Sequence, residues 1–97
     1  MAHVCQMVQY TLSDGDVAAI EQNLPARGVY QADPDRITGS RNPVRAGQVC
    51  AAVVVAVFAG AGDAVNLQVL LDGDCSYWAT SRLPGDGPGQ WAWPARV

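Results

Sequence analysis

The stretch VNLQVLLDGDCSYWATSR, residues 65–82, is the feature that most narrows what this chain can become. Val65, Leu67, Val69 and Leu71 alternate with Asn66 and Gln68, the period of two that sends successive side chains to opposite faces of a strand. The DGDC segment, residues 72–75, carries Asp-Gly turn chemistry, and SYWATSR returns as a second strand whose aromatic and β-branched residues suit cross-strand pairing. An antiparallel hairpin with one buried face is therefore expected. Alternation puts Tyr77 with Ala79 and Ser81 on one side of the returning strand, and Trp78 with Thr80 and Arg82 on the other.

Residues 49–59 are rich in valine and bounded by Gly47 and Gly60, which favours a strand over a helix despite four alanines. Both faces of this strand are apolar. Val49, Val53, Val55 and Val57 lie on one, with Cys50, Ala52, Val54, Ala56 and Phe58 on the other, so the strand belongs in the middle of a sheet or bends around a core. After PGDGPG a last short strand, QWAW, brings Trp91 and Trp93 to the same side before Pro94 ends it. These rings are expected to close the core, leaving Trp78 as the surface member. The sum is a mainly β fold, a small antiparallel barrel, open or closed, of the SH3-like or Tudor-like kind, with a short N-terminal α-helix.

The helix is signalled by Ser13, a capping residue, with Asp16 three positions on to complete a capping-box pair; Leu12 and Val17 occupy the hydrophobic-staple positions. Val17, Ile20 and Leu24 then share one face and Pro25 stops the pattern. The expected organisation is an N-terminal extension over residues 1–12, a helix over 13–25, a connecting loop over 26–48 and the barrel over 49–97. Met7 reads as an alternative start to Met1. With the strand pattern confined to residues 49–93 behind a long connection, that region is expected to fold without the leader.

With 97 residues there is room for one core, and 49% apolar against 15% charged residues is the balance of a folded domain. A net charge of −3 lacks the clustered positive charge that phosphate backbones require, so nucleic acid is not an expected partner. The longest apolar run, residues 49–62, is shorter than the roughly 20 residues of a membrane helix, and a soluble chain that needs no membrane is expected. Cys5, Cys50 and Cys75 are widely spaced with only His3 as an imidazole ligand, so no cofactor, metal site or disulfide is expected.

No Ser/His/Asp set can be assembled when the lone histidine sits in the third position of the chain. Asp72 and Asp74 have the spacing of an acid/base pair, but also the types that a tight turn wants. GDGPG, residues 85–89, lacks the strand-to-helix setting and the lysine of a phosphate cradle. Asp63, Asp72, Asp74 and Asp86 could gather at one end of the barrel as a calcium site, but they lack regular oxygen-ligand spacing, and solvated turn acids are the better account of them. What remains is aromatic: either these rings serve the core alone, or Trp78 at the surface beside Arg82, with Tyr77 adjacent, is the candidate binding set, of the kind that forms interaction hot spots.

With these residues in view, residues 42–97 resemble a family of small proteins of tailed phages and prophages of GC-rich actinobacteria. The resemblance is carried by NPVRAGQ, VVVAVF, VNLQVLLDGD, YWATS and PGQWAWP, and YTLSDGDVAAIEQ resembles the helical leader of many members. The absence of lysine beside six arginines suits a GC-rich source. Cys50, Ala52 and Ala56 are blander than the residues expected at some of those places. The resemblance brings no activity with it. It implies a non-enzymatic protein-interaction or virion-assembly module with a phage structural or host protein as partner, self-association being open. The host bacterial cytoplasm, with incorporation into the virion, is the implied location. The alternatives are an accessory protein that modulates a host protein and, behind it, a metal-dependent or catalytic factor.

Overall fold

A computed structural model describes residues 2–23, 41–58 and 60–94. Five strands form one antiparallel sheet: β1 (Met7–Thr11), β2 (Val49–Val57), β3 (Val65–Leu70), β4 (Ser76–Arg82) and β5 (Trp91–Ala92), in the order β4-β3-β2-β1-β5. Among the described residues one helix, α1 (Asp14–Asn23), lies between β1 and β2 in the chain. Among the described residues no helix is long and apolar enough to cross a membrane.

The hairpin forms where the alternation places it. Val65, Leu67, Val69 and Leu71 are all buried, and Leu67 faces Ala79 while Val69 faces Tyr77 across the β3–β4 ladder. β2 is central, with Cys50, Ala52 and Val54 turned inward. It is also bent, for its register with β3 shifts between Val54 and Ala56, so that Val55 is an extra residue of the kind that kinks a strand.

The N-terminal extension expected over residues 1–12 is instead, in its second half, an internal strand. β1 pairs with β2 from Met7↔Val53 to Thr11↔Val49, and on its other side with β5 through Gln9↔Ala92 and Tyr10↔Trp91. Its own alternation explains this: Val8, Tyr10 and Leu12 are buried while Met7, Gln9 and Thr11 face out. The pattern is short and contains glutamine and threonine, so it is outweighed in the sequence by the louder valine run. The ladder continues past both ends of β1, where the Leu12 N–H donates to the Gln48 carbonyl (2.9 Å) and the Cys5 N–H to that of Val54 (2.8 Å).

Helix α1 begins where the capping residues put it. The Asp16 N–H donates to Ser13 Oγ (3.1 Å) and the Ser13 N–H to Asp16 Oδ2 (2.9 Å), the reciprocal bonds of a capping box. Ile20 is buried and Val17 partly so, which docks the helix on the sheet's inner face. The expected end at Leu24 and Pro25 lies outside the described residues, as do residues 26–40 of the expected loop. The rest of that loop is tied down. Arg41 is buried and donates to the Ile20 carbonyl (3.5 Å), a cation at a helix C-terminus, where the macrodipole favours it. Asn42 bonds the hairpin tip through both its backbone and its side chain, each 2.8 Å from an Asp72 oxygen.

The sheet is not a closed barrel. Closure needs a ladder between the end strands, and β5 is only two residues long. Beyond Arg82 a single parallel bridge, Pro84↔Trp91, joins the chain leaving β4 to β5. The short β5 also corrects the tryptophans. Trp91 is 3% exposed, but Trp93 lies past the strand end and is 47% exposed, its ring packed at 89° on that of Trp91 with centroids 5.4 Å apart.

Because β1 contributes Val8, Tyr10 and Leu12 to the core and is the ladder partner of β5, the region from residue 49 onward is not self-sufficient. Burial of one large apolar side chain contributes about 1.5–3 kcal/mol, so three approach the 5–15 kcal/mol that holds a whole domain. A chain beginning at Asn42 should show no cooperative thermal transition by circular dichroism, whereas one beginning at Met7 should retain it.

Candidate functional site

Two arrangements merit comparison, one on each face of the sheet. The inner one centres on Asp16, the third residue of α1, which is 1% exposed. Its Oδ2 accepts from the Ser13 N–H (2.9 Å) and the Tyr10 hydroxyl (2.5 Å). Its Oδ1 accepts from the Tyr77 hydroxyl (2.8 Å) and from Arg82 Nη2 (2.9 Å). Arg82 also reaches the Tyr77 oxygen (3.3 Å), and its guanidinium carbon sits 5.8 Å from the Tyr10 ring centroid. Gly89, at φ +78°, turns the chain so that its N–H donates to the Thr11 carbonyl (2.7 Å) while its Cα passes over this cluster, close to Tyr10, Ser13 and Arg82.

The charge state of the cluster follows from these bonds. Burial pushes the Asp16 carboxyl upward, but donation from Tyr10, from the Ser13 backbone, from Tyr77 and from the Ser13 hydroxyl outweighs it and leaves the group below its ordinary value. Burial, followed by the hydrogen bond to Asp16 and that residue's charge, drives the Tyr10 hydroxyl far above the usual tyrosine range and raises Tyr77 in the same direction. Asp16 is thus an ionised carboxylate whose roughly four acceptor positions are all occupied. It has no lone pair left for a substrate proton. Its work is to join α1 to β1 through Tyr10 and to β4 through Tyr77 and Arg82.

The candidate set Trp78, Arg82 and Tyr77 is split by this geometry. Strict alternation places Arg82 beside Trp78; the structure places it beside Tyr77. The cause is a bulge in β4: register is lost between Val65↔Arg82 and Leu67↔Ala79, so Thr80 and Ser81 together oppose Asn66. Ser81 takes φ +55° and its N–H is satisfied by Asn66 Oδ1 (2.8 Å). The extra residue reverses the parity, and Arg82 turns inward. Tyr10 and Asp16 were not singled out as a site because Asp16 was already explained by helix capping, and no local signal links it to residues sixty positions further on.

Trp78 is 59% exposed on the outer face. The ladders align it in a row across four strands, Met7↔Val53, Val53↔Gln68 and Gln68↔Trp78. Val49, Val55 and Leu70 are exposed on the same face. The single charged residue in the five strands is Arg82, and it points inward. Among the described strand residues the outer face therefore carries no charge, and its exposed apolar side chains are interspersed with Gln9, Thr11, Asn66, Gln68, Ser76 and Thr80. Cys5 is exposed, Cys75 half-buried and Cys50 buried, and among the described residues no three His, Cys, Asp or Glu side chains gather to hold a metal.

No protein-family profile matches the chain, and neither the curated proteins nor the solved structures contain a significant match.

The Asp16 cluster should shape stability against pH. A lowered carboxyl contributes stability above its unfolded value near 3.8 that is lost as pH falls through the folded value; the raised Tyr10 hydroxyl contributes stability below 10.0 that is lost above it. Urea midpoints should therefore be flat between these limits and fall on both sides. In Asp16→Asn the acid limb should flatten. That variant should also lose about 3 kcal/mol, the usual order when one partner of a buried charged pair is removed, with a thermal midpoint lower by roughly 12–24 °C.

Proposed function

We propose that the chain is a non-enzymatic protein-interaction or virion-assembly module, a small and incompletely closed relative of SH3-like and Tudor-like barrels that is encoded by a tailed phage or prophage. The observation that carries this reading is the outer sheet face. Large apolar side chains gathered on one exposed face mark interaction sites more often than singly scattered ones do. Here Met7, Val49, Val55, Leu70 and Trp78 are exposed among uncharged polar side chains across four strands, and the tryptophan is of a type enriched in hot spots. The strand order supports the barrel-like description: β1 to β4, apart from the long excursion between β1 and β2, form a meander and β5 returns to pair with β1. The saturated carboxylate supports a non-catalytic role, since the one buried acid among the described residues is engaged in holding the fold. The phage assignment, and with it the host cytoplasm or virion as location and a phage structural or host protein as partner, is supported by the sequence resemblance.

Trp78 points into solvent, so Trp78→Ala should stay folded, with a thermal midpoint within a few degrees of the parent. In phage particles assembled with the variant, the amount of chain incorporated, or its capture of the partner, should fall about 30-fold, the equivalent of roughly 2 kcal/mol at a hot spot. Unaltered incorporation and capture would remove the outer face as the working surface.

A further inference from the structure

We infer that the outer face of the sheet is the surface on which a second copy of this chain packs, sheet against sheet about a two-fold axis. This rests on the interaction reading above and names the partner. The first argument is charge. The chain carries a net −3, so two copies repel wherever their charged surfaces meet. The outer face is the place where they can meet without that cost, since Met7, Gln9, Thr11, Val49, Ala51, Val53, Val55, Asn66, Gln68, Leu70, Ser76, Trp78 and Thr80 include no ionisable side chain. A face built for an acidic or basic partner would carry the opposite charge to steer it, and this one carries none.

The second argument is shape. An isologous interface must be complementary to itself. Large residues on this face, Met7, Val53, Leu70 and Trp78, are interspersed with small ones, Ala51, Ser76 and Thr11, so the projections of one copy have gaps to enter on the other. Pleated antiparallel sheets pack in this way about 10 Å apart, with their strands within about 30° of one another.

The third argument is area. Four strands spaced by about 4.8 Å, over about five residues of about 3.3 Å rise, give a footprint near 300 Å2. Two such footprints come to about 600 Å2 before side-chain relief, below the standard size and in the range of weak, transient interfaces. A reversible dimer is the expected product. Pairing through the free edge of β4 is the competing geometry, and the bulge at Thr80 and Ser81 opposes it by twisting that edge away from a flat ladder.

Sedimentation velocity of the full chain from about 1 µM to 1 mM tests this. The mass should rise from 10.2 kDa toward twice that value, with a micromolar dissociation constant that added salt does not weaken, because no charges are paired at the interface and screening eases the repulsion between two chains of net charge −3. Trp78→Arg and Leu70→Arg both alter exposed side chains, and each should retain the parent's thermal transition while weakening association at least 100-fold. A parent chain that stays at 10.2 kDa throughout overturns the inference. So does a dimer that neither substitution disturbs. In the first case, a loss of phage- or host-protein capture on Trp78→Ala would leave the interaction reading standing with a different partner; if that capture is also unchanged, both fall together.

Discussion

The fold depends on a carboxylate that three separate elements must reach at once. Asp16 begins as a local device, the third residue of a capped helix, and any chain with Ser13 before it would gain the same two capping bonds. What makes it decisive is that Tyr10 from β1 and Tyr77 with Arg82 from β4 converge on the same two oxygens. β1 and β4 are separated in the sheet by β3 and β2. Both can contact one side chain only if the sheet curls over the helix. The bulges in β2 and β4 supply curvature, and the glycine turn before β5 covers what the curl encloses.

Polarity is consequently arranged against the usual habit. The one charged residue of the strands is turned inward and neutralised, while the solvent side of the sheet carries no charge. An ion pair with one buried partner is worth keeping where its geometry is good, and both Asp16 oxygens are satisfied by two tyrosines, an arginine and a backbone amide, although Arg82 Nε lies buried without a hydrogen-bond partner. The outer face has no comparable requirement. Valine on β2 suits a pleated strand on either side, so the outer face keeps valines without any charge among them.

Much of the framework was legible in the residues. The β3–β4 hairpin, the central position of β2, the helix start at Ser13 and the exposure of Trp78 all follow from period, capping or turn chemistry, each a matter of a few neighbouring positions. β1 is not legible in the same way, for MVQYT is a short alternating segment whose strand character becomes plain only beside β2. The same holds for closure: whether five strands complete a barrel depends on the length of β5, and a Pro after a Trp-Ala-Trp run marks an end without saying how many residues pair before it.

The candidate site divides along the same line. Sequence by itself determined that Tyr77 and Trp78 lie on opposite faces, since adjacent residues of a strand always do. It also determined that Ser13 and Asp16 cap a helix, because both bonds lie within one turn. Only the tertiary structure decided which face Arg82 joins, because one added residue at Ser81 reverses every side chain beyond it and the bulge is stabilised by Asn66 on the neighbouring strand. It alone decided that Asp16 serves as more than a cap, and that Trp91 is enclosed while Trp93 is not. Those outcomes are set by contacts between segments distant in the chain, and periodicity carries information only about neighbours.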